Sequence, residues 1–550
     1  MPTITFSLKD LNKLVGKKLS VDEVQELAQY GKGDFEGYNK ASDDVKVDFG
    51  DTNLPYLWSV EGVARLFKGI LGKQKGIPKI KINKSDYKLI VDKSVSNVRP
   101  YVAAFVAKGH KINDYLIKQM IELQEKLCEN YGRRREKVAI GVYQYGKINF
   151  PVYYKATDPE SVKFIPLDFR KEMTQQEIVE EHPKGKDYAW ILKDAKKYPI
   201  LIDSKNSVLS FPPIINSATT GKIEEGDGDL FFEATGTSLD AVLLATNIFA
   251  QALYERGFTI YSVAVKYPTK TITTPYLFDE TIKLKKEMIN SFLGLDLEDY
   301  NIKRLLEKMQ YDYLAGKIKI PPYRGDILHP VDIIEDIAIA YGYDKINELP
   351  LTTLTVGSTF KIIEFVDKVR DTIIGLGYQE IISPILTNKE ILYKKADIGD
   401  FGTVEIENFM SETYSCLRTW ILPVLLDVLS KNKHSEYPQK IFEEGPVAVR
   451  KGDEIRDYRR IALVSANNVA DYTEIRQALD SLMKALNLKY TIEETEHNSF
   501  IPGRVGRVIV NGKKVAYIGE ISPNVLDNHG LEVPVVGFEL NLTNLFESMQ

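Results

Sequence analysis

The sequence predicts an α+β protein that is built from several domains. At 550 residues, the chain is longer than the roughly 100 to 200 residues of a typical single domain. Its 44% hydrophobic and 27% charged residues are ordinary for proteins with packed cores. Apolar residues recur with both the helical and the strand period, and one helix-and-strand pattern occurs twice.

The chain divides into four predicted domains. A small N-terminal module spans residues 1–75 and ends at the basic linker 72–78, which contains glycine and proline. A long α+β domain follows at 90–268, and a second small module occupies 270–350. The last domain covers 355–550.

The two small modules resemble each other. Residues 14–19 (LVGKKL) match 292–297 (FLGLDL), and residues 60–64 (VEGVA) match 334–338 (IEDIA). The two matches are offset by nearly the same number of positions. We therefore predict two copies of one helix-and-strand module.

Four carboxylates gather at the predicted helix that ends the second module. Asp332, Glu335 and Asp336 stand at i, i+3 and i+4, which places them on one helix face, and Asp326 precedes them in a loop. Such oxygen ligands suit Mg²⁺. The alternative is a capping box, in which Asp332 accepts hydrogen bonds from backbone N–H groups and Glu335 reaches back. Both interpretations stay open on these residues alone.

The N-terminal copy of the module lacks this cluster. It has Trp58 and Gly62 at the positions of Asp332 and Asp336. We therefore expect no metal site there.

Five polar side chains in the second domain are candidates for chemistry. Two of them stand beside a rigid Pro-Pro turn in the string SFPPIINS, and three alternate along one predicted strand, so period 2 places those three on one face. Such groups can hold the polar end of an amino acid or orient a water molecule. Threonines in strands and polar residues in turns are also common without any chemistry. The candidates are Ser210, Asn216, Glu233, Thr235 and Thr237.

Composition excludes several other classes of protein. The net charge of −5 is not that of a strongly basic nucleic-acid binder, although it can hide a local basic face. Two cysteines are too few for a disulfide framework. The N-terminus lacks the pattern of a signal peptide, and no apolar run reaches about 18 residues. We expect a cytoplasmic protein without a membrane segment.

The string Pro321–Ile346 (PPYRGDILHPVDIIEDIAIAYGYDKI) resembles the β subunits of phenylalanyl-tRNA synthetases, in their shorter archaeal and eukaryotic form. The resemblance extends over nearly the whole chain, including SFPPIINS, EATGT, CLRTWILPVLL and IPGRVGR. It implies a Mg²⁺ site at Asp326, Asp332, Glu335 and Asp336, near the contact with an α subunit. All four positions are acidic here.

The resemblance also implies that 90–268 is an editing domain, which hydrolyses tyrosine mischarged onto the phenylalanine tRNA. Its site would contain Ser210, Asn216, Glu233, Thr235 and Thr237. Glu233 stands where the family usually has aspartate. A second, hydrolytic site is a known solution where a synthetic pocket discriminates poorly between similar side chains.

The fourth domain resembles the antiparallel-sheet core of class II synthetases without its catalytic motifs. The arginines that hold ATP in such a core are missing: one slot reads Ala448–Lys451 (AVRK), and the last strand runs into Asn541. We therefore expect an α subunit to bind ATP and phenylalanine and to form the aminoacyl bond, within an α₂β₂ heterotetramer that binds the phenylalanine tRNA. Arg418, Arg504 and Arg507 are interpreted as structural or interface residues. Two alternatives stay open: a scaffold subunit that docks tRNA without hydrolysis, and a self-sufficient ligase, which would need the missing arginines.

Overall fold

The computed structural model describes residues 2–50 and 53–549. The chain divides into two compact units, Met1–Pro350 and Leu351–Gln550. This division lies beside the predicted boundary between the third and fourth domains. In the first unit one hydrophobic cluster extends from Ile4 to Ala340, so the three domains predicted there share a core and their boundaries stay predictions.

The N-terminal module contains three strands and three helices. They are β1 (Thr3–Ser7), α1 (Leu8–Val15), α2 (Val21–Ala28), β2 (Gly33–Asn39), β3 (Asp44–Phe49) and α3 (Val60–Ile70). The strands form an antiparallel sheet in the order β1, β3, β2. Asp51 and Thr52 lie outside the described residues.

The central part of the first unit is dominated by a large sheet. Its elements are β4 (Ile82–Asn83), β5 (Lys88–Val91), β6 (Tyr101–Lys108), α4 (Asp114–Lys126), β7 (Val138–Gln144), β8 (Val152–Thr157), β9 (Lys163–Phe164), β10 (Met173–Thr174), α5 (Gln175–Glu181), α6 (Pro183–Tyr188), β11 (Tyr198–Ile202), β12 (Val208–Phe211), β13 (Ile215–Asn216), β14 (Leu230–Gly236), α7 (Leu239–Glu255), β15 (Thr259–Lys266) and β16 (Thr271–Thr274). Eleven strands form one sheet with the main order β13, β12, β11, β8, β5, β15, β6, β14, β7. β9 and β10 pair separately.

The long helix α7 packs on this sheet through an almost wholly apolar surface. Thirteen consecutive residues, Ala241–Leu253, are buried. Phe249 of α7 lies 4.8 Å from the ring of Phe232 in β14, which stacks at 4.6 Å on Phe105 in β6. A helix that is apolar on all sides is expected in a core. This packing buries β14 between its neighbours β6 and β7 and the helix α7.

The second module repeats the N-terminal one. Its elements are β17 (Thr281–Lys283), α8 (Lys286–Leu293), α9 (Asp299–Lys308), β18 (Asp312–Leu314), β19 (Lys317–Lys319) and α10 (Pro330–Tyr341). The order of elements is the same, and the sheet order β17, β19, β18 matches β1, β3, β2. Both first helices end at a glycine with positive φ, Gly16 at 70° and Gly294 at 64°. The resemblance in sequence therefore corresponds to a structural repeat.

The same asparagine contact occurs at equivalent positions of the two modules. Asn12 accepts from the backbone N of Leu19 at 2.9 Å and donates to its carbonyl oxygen at 3.4 Å. Asn290 makes the same two bonds to Leu297, at 2.8 and 3.1 Å. One side chain thus satisfies both backbone groups at the start of the next segment.

An arginine at the end of α7 joins the N-terminal module to the central sheet. Arg256 donates to both carboxylate oxygens of Asp10 in α1 at 2.7 Å and to Glu61 in α3 at 2.5 Å. All three side chains are at most 14% exposed. Next to them Arg65 of α3 pairs with Glu255 at 2.7 Å. Paired, largely desolvated charges therefore define this junction.

The second unit contains a seven-stranded sheet between two layers of helices. Its elements are α11 (Lys361–Gly375), β20 (Gln379–Glu380), β21 (Leu386–Thr387), β22 (Cys416–Leu417), α12 (Leu422–Lys431), β23 (Gln439–Lys451), β24 (Glu454–Ala466), α13 (Tyr472–Ala485), β25 (Thr491–Glu494), β26 (Phe500–Val510), β27 (Lys513–Ile521), α14 (Pro523–His529), β28 (Val535–Asn541) and α15 (Leu542–Met549). The sheet order is β20, β23, β24, β28, β27, β26, β25. Only the β20–β23 pair in it is parallel among the described strands.

Alternate strand residues of this sheet face different cores, as period 2 requires. Leu463 and Phe538 belong to the cluster that contains α11, α13 and α15, whereas Ala462 and Val464 belong to the cluster that contains α12 and α14. The predicted mixture of helices and several sheets is confirmed. No helix in the described parts of the chain has both the length and the apolar character to cross a membrane.

We predict that Arg256→Met destabilises the first unit by about 3 to 5 kcal/mol, because it leaves the carboxylates of Asp10 and Glu61 without their cation. Thermal unfolding followed by circular dichroism would measure the change. Lys17→Met is the matched control, because it removes the exposed pair with Glu23, for which a loss below about 1 kcal/mol is expected. Equal losses in both variants would contradict a structural role for the Arg256 junction.

Candidate active site

Four of the five polar residues predicted from the sequence line one pocket of about 160 Å³. Glu233 and Thr235 come from β14, Ser210 from β12 and Asn216 from β13. Thr237 does not join them. It lies beyond the last residue of β14 and is exposed, because the chain turns there toward α7.

The register of the sheet explains why Glu233 fits in this buried position. Glu233 stands opposite Gly141 of β7 and Ala104 of β6. A Cβ atom at Gly141 would overlap the Glu233 carboxylate and the hydroxyl of Tyr143. Glycine at 141 therefore provides the space into which the Glu233 side chain extends.

An arginine holds the loop that closes the pocket. Arg135 donates to the carbonyl oxygens of Pro213 and Ile214 at 3.3 and 3.0 Å. Its guanidinium lies 4.2 Å from the ring centroid of Tyr188. Arg135 thus positions the Pro-Pro turn.

The carboxyl group of Glu233 has one partner and one unpaired oxygen. The Tyr143 hydroxyl donates to Oε1 at 2.8 Å, whereas Oε2 is buried without a hydrogen-bond partner. Burial raises the pKa of Glu233 to about 8, although the Tyr143 hydrogen bond and the charge of Arg99 oppose the shift. At neutral pH the group is therefore mostly a neutral acid that can donate as well as accept.

The hydroxyl of Thr235 in the pocket is oriented by the buried side chain of Arg99. Arg99, which is 1% exposed, donates through Nε to Thr235 Oγ1 at 3.0 Å and through Nη2 to the Thr235 carbonyl at 2.6 Å. Because Thr235 Oγ1 already accepts, its own proton is directed to other acceptors. Ser210 Oγ is buried and has no partner. The pocket therefore presents polar atoms that await a ligand or water.

Sequence reasoning missed Tyr143, Arg99 and Arg135. Tyr143 lies in β7, and its partner Glu233 lies 90 positions away. Arg99 and Thr235 are separated by 136 positions. No local pattern signals contacts of this kind.

The four predicted metal ligands lie around a second, smaller cleft at the start of α10. Arg324 bridges two of them: it binds Asp326 through Nε at 3.1 Å and Asp336 through Nη1 at 2.6 Å. Asp332 accepts from the backbone N of Leu328 and of the N-cap residue, both at 2.7 Å. This is the capping interpretation, with Asp332 as the residue that reaches back.

Glu335 does not take part in the cap. It pairs with Lys32 of the N-terminal module at 3.0 Å. Among residues 2–50 and 53–549, no three acidic, histidine or cysteine side chains converge as a metal ligand set. In this arrangement Asp326 and Asp336 pair with Arg324 and Glu335 pairs with Lys32, and the Mg²⁺ assignment stays a prediction.

Comparison with known proteins identifies the family of the chain. The phenylalanine–tRNA ligase beta subunit of Pyrococcus horikoshii is 43% identical over 559 residues, covering 99% of this chain and 100% of that protein. The corresponding subunit of Archaeoglobus fulgidus is 39% identical over 558 residues and covers 100% of this chain and 99% of that protein. The chain belongs to the phenylalanine–tRNA ligase beta-subunit family.

Family models and a solved structure agree with this assignment. A model of the phenylalanyl tRNA synthetase beta chain CLM domain matches residues 347–542, and one of the tRNA synthetase B5 domain matches 282–343. An N-terminal fragment of the Pyrococcus horikoshii phenylalanyl-tRNA synthetase beta subunit superposes with a TM-score of 0.60 at 42% identity. It covers 62% of this chain and 100% of that fragment.

The three arginines interpreted as structural in this beta-subunit chain differ in their surroundings. Arg418 is buried and pairs with Glu443 at 2.5 Å, and Arg504 pairs with Glu520 at 2.6 Å. Arg507 instead lines a cavity of the second unit. The buried Arg418 contact is of the structural kind expected from the sequence, whereas the Arg504 side chain is 60% exposed.

We predict a pH-dependent stability difference between the wild type and Glu233→Gln. With its pKa raised from 4.5 to about 8, the neutral Glu233 carboxyl stabilises the folded state fully below pH 4.5. This contribution is lost as pH rises through 8. Glutamine cannot ionise, so the variant does not lose this contribution. From pH 5 to pH 9 the free energy of unfolding of the variant should therefore rise relative to that of the wild type by on the order of 3 kcal/mol.

Thermal or urea unfolding between pH 5 and pH 9 would measure this difference. Glu125→Gln is the matched control, since Glu125 lies on the exposed rim of the same pocket. A constant difference between the wild type and Glu233→Gln across this pH range would contradict the raised pKa.

Proposed function

We propose that this chain is the β subunit of a complex that attaches phenylalanine to its tRNA with ATP, and that it hydrolyses tyrosine mischarged onto that tRNA. The observation that carries the editing function is the pocket of Ser210, Asn216, Glu233 and Thr235. Its buried, unpartnered oxygens are costly to folding and suit a polar ligand. Hydrolysis would take place here, in the central sheet of the first unit.

Discrimination at this pocket would rest on Glu233. A tyrosine hydroxyl can pair with its buried Oε2, whereas a phenylalanine ring would leave that oxygen desolvated and unpaired. An unpaired buried polar group costs about 1 to 3 kcal/mol. This cost favours entry of tyrosine over phenylalanine, and sites that hydrogen-bond a hydroxyl discriminate far better than apolar ones.

The other groups of the pocket suit the reacting end of the substrate. Thr235, oriented by Arg99, and Ser210 can position the water molecule or the ester carbonyl. Arg135 and Lys184 line the same pocket and supply positive charge for a phosphate of the tRNA end.

The editing proposal predicts separate effects for two threonines. Thr235→Ala and Glu233→Ala should each slow deacylation of tyrosyl-tRNA by about tenfold or more, because each removes a group that contacts the substrate or water. Thr237→Ala, the same substitution two residues further on and outside the pocket, should stay within about twofold of the wild type. The rate is measured with the assembled complex and tRNA carrying labelled tyrosine.

A matched charging assay separates editing from folding or assembly. Phenylalanine attachment should be unchanged in all three variants, because synthesis is assigned to the α subunit. If the Glu233→Ala, Thr235→Ala double variant deacylates tyrosyl-tRNA as fast as the wild type, the proposal that this pocket performs editing is wrong. The alternative function, a non-hydrolysing scaffold that docks tRNA, would then stand.

An apolar segment of the second unit supports a protein partner. Leu351, Leu354, Val356 and Phe360 are each between 81% and 95% exposed. Four such side chains in one short stretch without helix or strand are unusual for a surface that only contacts water. We assign this segment to the contact with an α subunit that binds ATP and phenylalanine, in an α₂β₂ assembly.

We predict that Leu354→Asp together with Val356→Asp reduces co-purification of the α subunit at least about tenfold, because charges would be buried in an apolar contact. Val469→Asp is the control, since Val469 is 84% exposed elsewhere in the second unit. The amounts of α subunit bound to each tagged variant are compared by quantitative gel analysis. Equal recovery with all variants would place the contact elsewhere.

A further inference from the structure

The second unit contains a cavity of about 500 Å³ on one face of its sheet, here called the sheet cavity. Residues of β23, β24, β26, β27 and β28 line it together with loop residues such as Trp420 and His497. Its size falls within the range of about 300 to 1,000 Å³ that is usual for small-molecule sites. It is separate from the editing pocket, which belongs to the first unit.

Positive charge predominates in the sheet cavity. Its lining contains four cations against a single carboxylate, Glu539. That carboxylate is already engaged, since it accepts from the backbone N atoms of Ile421 and Leu422 at 2.8 Å and from Arg460 at 3.0 Å. The cations are Lys451, Arg460, Arg507 and Lys514.

Two of these cations have buried donors without partners. Nε of Arg460 and Nε of Arg507 are buried and make no hydrogen bond. Among the described residues Arg507 also has no carboxylate within ion-pair distance. Burial lowers the pKa of Arg507, with the nearby Arg460 charge acting in the same direction. An anion would satisfy both donors and relieve this unfavourable burial.

Flat aromatic surfaces line the same cavity. The Arg507 guanidinium lies 3.9 Å from the ring centroid of Tyr517, its neighbour across the strands. The His497 ring lies 4.7 Å from Tyr517 and 5.8 Å from Trp420. Burial lowers the pKa of His497 to about 4, so the ring is neutral at pH 7 and adds no charge. A planar ring can stack on such a surface.

We propose that the sheet cavity binds a nucleoside monophosphate, with its base among the aromatic rings and its phosphate on Arg507 and Arg460. The proposal concerns binding without a chemical step. A triphosphate would bring Mg²⁺, and the only carboxylate in the described lining, Glu539, has its oxygens engaged. The cavity thus suits a ligand with one phosphate.

AMP is the probe, with the full chain in complex with its partner. Because the nucleotide site assigned to the α subunit can also take AMP, equilibrium dialysis with labelled AMP compares the wild type with Arg507→Gln, and the wild type should show one additional saturable site per β chain. Adenosine, ribose 5-phosphate and inorganic phosphate should each bind at least tenfold more weakly, because each lacks the base or the phosphate. Saturation-transfer NMR should show contact at the base protons of AMP.

Arg507→Gln should weaken AMP binding at least tenfold. Arg504→Gln, on the same strand but outside the cavity, should leave it unchanged. Lys514→Gln on the exposed end of the cavity should weaken it about threefold, which provides a test if Arg507→Gln does not fold. Competition with whole tRNA distinguishes the source of the nucleotide: displacement of AMP identifies the RNA end, and no displacement identifies a free nucleotide.

Two results would overturn the proposal: inorganic phosphate binding to the Arg507-dependent site as tightly as AMP, or equal AMP binding in Arg507→Gln and Arg504→Gln. Deacylation of tyrosyl-tRNA is unaffected by these variants under the proposal. The outcome is therefore independent of the editing function.

Discussion

A carboxyl group in the middle of a fully buried strand is the constraint on which the candidate active site depends. All seven residues of β14 are buried, and Glu233 is its central charge-bearing group. The neighbouring strands accommodate it through Gly141, which leaves space, and Tyr143, which donates a hydrogen bond. One oxygen is nevertheless left unpaired. Apolar residues at this position would pack without that cost, so the arrangement favours binding over stability.

The two copies of the repeated module show how the same fold serves different purposes. In the N-terminal copy Glu61 faces Arg256 and fixes the module to the core, and Gly62 is required because a Cβ there would overlap the carbonyl of Tyr56. In the second copy the equivalent positions are Glu335 and Asp336, whose partners are Lys32 and Arg324. The helix α3 of the N-terminal copy is therefore buried against the core. The helix α10 of the second copy instead presents a polar face to a cleft.

Local periodicity predicted much of the site and of the fold. Period 2 correctly placed Glu233 and Thr235 on one face, but it extended the strand to Thr237, whereas β14 ends one residue earlier and the chain leaves the sheet. Helical spacing placed three carboxylates on α10 and left metal binding and capping open. It could not reveal Lys32 as the partner of Glu335, because 303 positions separate them. Contacts between distant segments depend on the packing of modules, which no local pattern contains.

In the second unit, arginines that stabilise the fold have carboxylate partners, and this pairing distinguishes them from Arg507. Glu443 and Glu444 are matched by Arg418 and Arg459 at 2.5 and 2.7 Å. A buried ion pair that loses one partner is strongly destabilised, so pairs of this kind persist where the fold needs them. Arg507 has no such match in the described chain and rests on an aromatic ring instead. An unpaired, half-buried guanidinium adds little to stability, and its place in the cavity suits an anion that binds on this face of the sheet.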